Sequence, residues 1–441
     1  MKKLCIFFAL FFTLSLITTA CGTNNQTKDQ TSAGQTNAGS TPVQQSQNKV
    51  TVKLASQWWL EPGRKELYEG FKKDFEAAHP NITIEPVAMS YSEYFDKIKV
   101  LLGSSDAPQI FYATLVQLKL WKEMGYLEPL DNHMDINKLL QEVSSPESQK
   151  QAEIDGKMYA LYLEACPYSG LIYNKKLLSD AGVAVPTTPE ELLAAAKKLT
   201  KGTEQFGFIT ADSADNPTHI MQEAMIIIHG FGGKIINDQG GFGVADPEFI
   251  EGVKFWKSLI DSGAVPKNMV YNTQRKLLFA GKAAMCLDGG YFVTWAQSEN
   301  PEVGKNLDVA YGPFKTKNNP IDLTYFSINS KATEEQKKAS IEVLNAYMGA
   351  DFQGKWIRQC GYPVTMKNAI TPEFEKEFPW FKIYEDTAAY GIPLSVKGYE
   401  TQSDELRRVV ADYLLKVILA NEPVEKAMKD CKAQLESMVK Q

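Results

Sequence analysis

Histidine is scarce in this chain, with four among 441 residues, and no HExxH pair occurs. GxSxG, GxxxxGK[ST] and the Rossmann GxGxxG are also missing. The zincin, hydrolase-elbow, P-loop and dinucleotide signatures are therefore unavailable, and so few histidines argue against a metal centre or a catalytic triad. Cysteine is sparse too and forms no CxxC pair, which argues against structural zinc. Cys166, Cys286, Cys360 and Cys431 could pair outside the cell, in combinations that sequence does not fix. Positive charge is not in excess, at 47 Lys and Arg against 53 Asp and Glu, so no basic surface invites nucleic acid or anionic lipid. The apolar run Leu4 to Ile17 is shorter than the roughly 20 residues of a spanning helix. There are no internal repeats, and nothing calls for a cofactor.

What is present begins with that run. Lys2 and Lys3 precede it as a positive n-region, so residues 1–20 read as a signal peptide. Thr18, Thr19 and Ala20 leading into Cys21 resemble the lipobox of bacterial lipoproteins, which implies a lipid on Cys21 and cleavage just before it. The alternative is ordinary cleavage with an unmodified thiol. Removing residues 1–20 takes away two lysines, so the mature charge is 45 minus 53, or −8. Residues 22–48 contain no aromatic residue and almost nothing to bury, and read as a flexible tether with a reach of roughly 30 Å. With the lipid, residues 21–48 would hold a domain at the extracellular face of the cytoplasmic membrane.

The remainder, residues 49–441, exceeds the ~250 to 300 residues at which single cores stop growing, so two lobes are expected. "KVTVKLAS" alternates as a strand, and Leu67, Phe71, Phe75 and Ala78 recur at helical spacing until "HP". "NITIEPV" is the next strand, giving a β-α-β start and, most simply, a parallel α/β sheet. Ser90 and Glu93 open a helix to about Leu102, "QIFYA" is a strand, and Gly125 closes the helix that follows. Thr188, Pro189 and Glu191 start another helix as cap, N1 proline and capping box.

"GKMYALYLEACPYSGLIYNKKLL", "TPEELL", "FGGKI", "FAGKAAMCLDGGY" and "GYP" resemble, in the same order, motifs of the extracellular solute-binding proteins of ABC sugar importers, the family that includes maltose-binding protein. The similarity spans nearly all of residues 49–441. It implies an α/β, two-lobed periplasmic-binding-protein-like fold with the ligand cleft between the lobes. Chain crossings are expected near residues 160–166, 306–312 and 352–358. Lobe one is then 49–162 with 310–354, and lobe two 163–309 with 355–441. The implied partners are a carbohydrate, an ABC permease and, through the anchor, the bilayer, with the chain a monomer.

Sugar rings offer C–H faces and a belt of hydroxyls, so a site needs aromatic platforms and polar forks. Trp58 and Trp59 follow the first strand, where parallel sheets bind ligands. Strand side chains alternate, so both could not enter one core from a strand. Tyr91 sits in the loop after the second strand, and Asp106 and Thr114 flank "QIFYA"; Asp106 also suits a turn cap. Glu164 and Tyr168 lie at the first crossing, where a hinge ion pair is the competing role. In "CLDGGY", Asp288 would accept hydroxyl protons, Gly289 and its neighbour Gly290 would let a ligand approach the backbone, and Tyr291 stands where the resembled family often stacks an aromatic ring. His219 opens a helical pattern after the strand-like "FGFITA", and Tyr362 belongs to "GYP". Trp256 and Trp356 read as core or hinge packing.

Two rivals differ in class. A lipid-anchored glycosidase or lyase would need a carboxylate pair, and none stands out. A sensor would share the fold and report ligand to a receptor. Acidic candidates without an arginine cluster favour a neutral oligosaccharide, and a polyamine would also suit acids with aromatics.

Overall fold

The structure, a computed structural model, describes residues 49–61, 63–214, 217–361 and 363–440. Alternation in the first segment produces β1 (Val50–Ser56), with Val52 and Leu54 buried and Thr51 exposed. The helix Arg64–Ala78 then buries Tyr68, Phe71 and Phe75 at three- and four-residue spacing and stops at His79, ahead of Pro80. β2 (Ile82–Ala88) pairs with β1 in parallel, and β3 (Ile110–Thr114) joins β1 on its other side, also in parallel. The carboxyl ends of these strands therefore share one edge of the sheet.

The sheet is completed by chain from far downstream. β10 (Asn319–Ile328) runs antiparallel to β3 and to β6 (Leu161–Pro167), and carries β11 (Gly391–Pro393) in parallel. The short hairpin β4 (Glu153–Ile154) and β5 (Lys157–Met158) stands apart. A second sheet consists of β7 (Gly170–Asn174) between β8 (Met285–Asp288) and β9 (Leu307–Tyr311), antiparallel on both sides. The expectation of parallel pairing thus holds for the opening strands and not for this sheet. "FGFITA" runs beside β8 only through the isolated parallel bridges Phe206–Ala283 and Ile209–Cys286.

The chain passes from the large sheet to the small one at Tyr168–Ser169 and returns between Tyr311 and Asn319. β6 stays paired with β10 through Pro167, a little beyond the first expected crossing. The helix Ala350–Cys360, at the third, packs against the Arg64–Ala78 helix and also against the helix Tyr291–Glu299. β11 rejoins the large sheet although it falls within 355–441. The terminal helices Ser403–Leu419 and Val424–Val439 pack on Pro217–Gly230 and Pro247–Asp261. Cys166, Cys286, Cys360 and Cys431 are buried free thiols. No described helix is long and apolar enough to cross a membrane.

Candidate functional site

At the end of β1 the chain tightens into a 3-10 turn, Gln57–Trp59, capped by the Ser56 hydroxyl accepting from the Trp58 N–H at 3.1 Å. The tighter winding removes the alternation of a strand, so both tryptophans turn inward: Trp58 is 1% and Trp59 5% exposed. The Trp59 indole N–H donates to the Leu54 carbonyl at 3.0 Å. Trp58 lies among Tyr68, Tyr112, Phe326 and Trp356, with ring centroids 4.8 to 5.9 Å away. As arranged, its ring serves a protein cation. The Arg64 guanidinium stands 5.3 Å from the Trp58 centroid and 5.2 Å from that of Trp356.

Arg64 pairs with Glu61 at 3.2 Å and with Glu164 of β6 at 3.8 Å. The Trp356 indole N–H donates to the Glu164 carboxylate at 2.8 Å. Burial pushes the Glu61 carboxyl above the ordinary carboxylate range; Arg64 pulls it down, Glu164 adds to the rise, and Arg275 pulls it down again. Arg275 belongs to the helix Tyr271–Phe279 on the small-sheet side. Glu61 therefore stands where the two halves of the molecule face each other.

The facing half is built on the end of β8. Asp288, 0% exposed, accepts from the Tyr291 hydroxyl and from the Gly289 N–H, each at 2.7 Å. Arg275 pairs with the same carboxylate at 3.6 Å, donates to the Tyr291 hydroxyl at 3.2 Å and lies 4.6 Å from the Phe292 ring centroid. Burial pushes the Tyr291 hydroxyl well up, keeping it a neutral donor. The groups crowding the glycine pair are the protein's own. A Cβ on Gly289 would come within 2.7 Å of the Tyr291 ring and 2.9 Å of the Cys166 sulfur, and one on Gly290 within 2.0 Å of the Gly361 carbonyl.

The remaining candidates scatter. Tyr168, 8% exposed, occupies the link between the sheets. The Thr114 N–H donates to Gln117 Oε1 at 3.2 Å as its side chain caps the helix Leu115–Glu123. Asp106 precedes β3, at the opposite end of that strand from Thr114; its side chain is 74% exposed and pairs with Lys53, so the structure does not bring it to the cluster. His219 is half-buried in the first turn of the helix Pro217–Gly230, one turn before the buried Glu223. Tyr91 begins the helix Tyr91–Leu102, and its side chain lies outside the described residues. Tyr362 and Cys21 also lie outside them. Trp256 is core, as expected, at 0% exposure, and Trp356 joins the Arg64 stack.

Sequence reasoning missed Glu61, Arg64 and Arg275, and the structure corrects the expectation of no arginine cluster. Two buried or half-buried arginines from different helices, Arg64–Ala78 and Tyr271–Phe279, oppose three carboxylates. The available signal was "LEPGRK", which places Glu61 and Arg64 three apart beside the tryptophan pair. No group of three or more His, Cys, Asp or Glu among the described residues could hold a metal ion.

Two α/β lobes around facing polar clusters define the two-lobed fold of periplasmic binding proteins. Residues 71–380 match the family of bacterial extracellular solute-binding proteins, and the chain belongs to it. It is 23% identical over 392 residues to a binding protein of Brucella abortus, covering 85% of this chain and 90% of that one. Its structure is similar to the GacH receptor of Streptomyces glaucescens, solved unliganded and in complex with acarbose (TM-score 0.76, 20% identity, 89% of this chain and 99% of that one). It is also similar to maltose-bound MalE3 of T. maritima (TM-score 0.77, 19% identity, 88% of this chain and 100% of that one).

Proposed function

We propose that this protein captures a carbohydrate between its lobes and delivers it to the membrane permease of an ABC importer, without chemical turnover, while a lipid on Cys21 holds it at the extracellular face of the membrane. The observation that carries the reading is the pair of facing clusters, Glu61–Arg64–Glu164 and Arg275–Asp288–Tyr291. A sugar hydroxyl both donates and accepts, so it is matched by carboxylates set beside guanidinium forks and a neutral phenol. The similar structures hold acarbose and maltose, which supports a carbohydrate. We take Tyr168–Ser169 and residues 312–318 as two of the lobe connections.

A thermal-shift panel of mono- and oligosaccharides together with spermidine tests this. A ligand at one hundred times its Kd stabilises by about 2.7 kcal/mol, so a true ligand raises the melting temperature and is recovered unchanged. A panel in which spermidine stabilises the protein and no carbohydrate does would overturn the reading. Cys21→Ala is expected to release the chain from the membrane fraction.

A further inference from the structure

The helix Tyr291–Glu299 begins directly after the Asp288 cluster and carries one more aromatic side chain on the same face. Trp295 lies one turn beyond Tyr291, edge to face with it at 4.8 Å, and stacks on Phe292 at 6.3 Å, the ring over which Arg275 sits. Its side chain is half-buried, yet the indole nitrogen is fully covered and has no acceptor among the described residues. Buried indole N–H groups are almost always paired, because an unpaired donor has given up water for nothing.

A second donor in the same seam shares the condition. The Thr294 hydroxyl donates to the Gln359 carbonyl at 2.7 Å, joining this helix to Ala350–Cys360, and the Gln359 side-chain amide nitrogen is buried without an acceptor among the described residues. That amide also meets the turn bearing Glu61 and Arg64: a Cβ on Gly63 would fall 2.3 Å from it. The seam thus lies between the two charged clusters, and these two atoms, unpaired among the described residues, are both donors. Donors call for oxygen acceptors, which a polyamine lacks and a carbohydrate has in abundance.

We propose that Trp295 is a ligand-contacting residue, its indole N–H donating to a hydroxyl or ring oxygen of the bound carbohydrate. The inference rests on the carbohydrate reading and adds a position that neither motif nor spacing marked. The test takes the best carbohydrate from the thermal-shift panel and compares wild type, Trp295→Phe and Trp295→Tyr by calorimetry. Phe and Tyr keep an aromatic ring and remove the indole N–H. Binding about five- to tenfold weaker with an unchanged melting temperature is expected. In spectra of ¹⁵N-indole-labelled wild type, the signal missing from either variant should shift when the carbohydrate is added. Wild-type affinity in both variants, or an unmoved signal, would overturn the proposal. Wild type that binds spermidine and no carbohydrate would overturn it through the ligand class instead, a result distinct from failure at Trp295 alone.

Discussion

Arg64 is 6% exposed and Glu164 2%, and each neutralises the other inside a wall of tryptophan. Removing one partner of such a pair strands a charge away from water, at a cost of about 3–5 kcal/mol. Arg64→Ala should therefore destabilise by that amount in urea melts, and adding Glu164→Gln should recover part of the loss, because the stranded charge is then gone. Arg64→Lys is expected to fall between, since an ammonium lacks the planar face that stacks on both indoles. Asp322 of β10 supplies a pH signature. It is partly buried opposite Cys166, and burial pushes its pKa from 3.8 to about 7, against the pull of Arg407 and with a further rise from Glu164. Between those values the folded chain holds a proton that the unfolded chain has released. Its contribution to stability is present below the unfolded value and lost as pH rises towards 7, by about 1.4 kcal/mol per pH unit. Asp322→Asn should match wild type near pH 4 and become the more stable of the two by pH 7, as urea melts across that range would show. Asp288 and Tyr291 were legible as candidates because a strand end and a glycine pair framed them, and Glu164 because it lies at the first expected crossing. Glu61, Arg64 and Arg275 were not, because sequence does not say which long charged side chains fold inward.

Regular elements were readable wherever one face is buried. The three- and four-residue spacing of the first helix and the alternation of β1 both appear as expected. Thr188 caps its helix, its hydroxyl accepting from the Glu191 N–H at 3.2 Å; the Glu191 carboxylate reaches the N–H of Thr187, one residue before the cap, at 2.8 Å. The small sheet was misjudged because two of its three strands, β7 and β8, are buried on nearly every residue and carry no alternation to declare direction. Two glycines make opposite predictions. A Cβ at Gly290 would meet the Gly361 carbonyl at 2.0 Å and the Trp380 ring at 2.7 Å, while Gly361 holds φ at +67°, so neither side yields easily. Gly290→Ala should lower stability by about 1–3 kcal/mol or more. Gly70, inside the first helix, has nothing within 4 Å of a Cβ, and Gly70→Ala should raise stability by about 0.5–1 kcal/mol. Melting curves of the two variants should move in opposite directions.

For the molecule as a whole, the proposed capture between the facing clusters requires ligand contacts that are completed only when both halves approach. Such differential contact is what drives closure. Small-angle scattering with a saturating carbohydrate should show a smaller radius of gyration than without it, and an unchanged radius would place the site within a single lobe. The layout of the large sheet has a further effect, on timing. β10 is the strand that joins β3, β6 and β11, yet 151 residues separate the end of β6 at 167 from its start at 319. At a synthesis rate of about 5–20 residues per second, that stretch takes roughly 8–30 s to emerge. Throughout this interval β3 lacks its inner neighbour, so the first half of the chain stays short of its native sheet. The large sheet of this member of an extracellular family can therefore close only late in synthesis, after β10 has emerged.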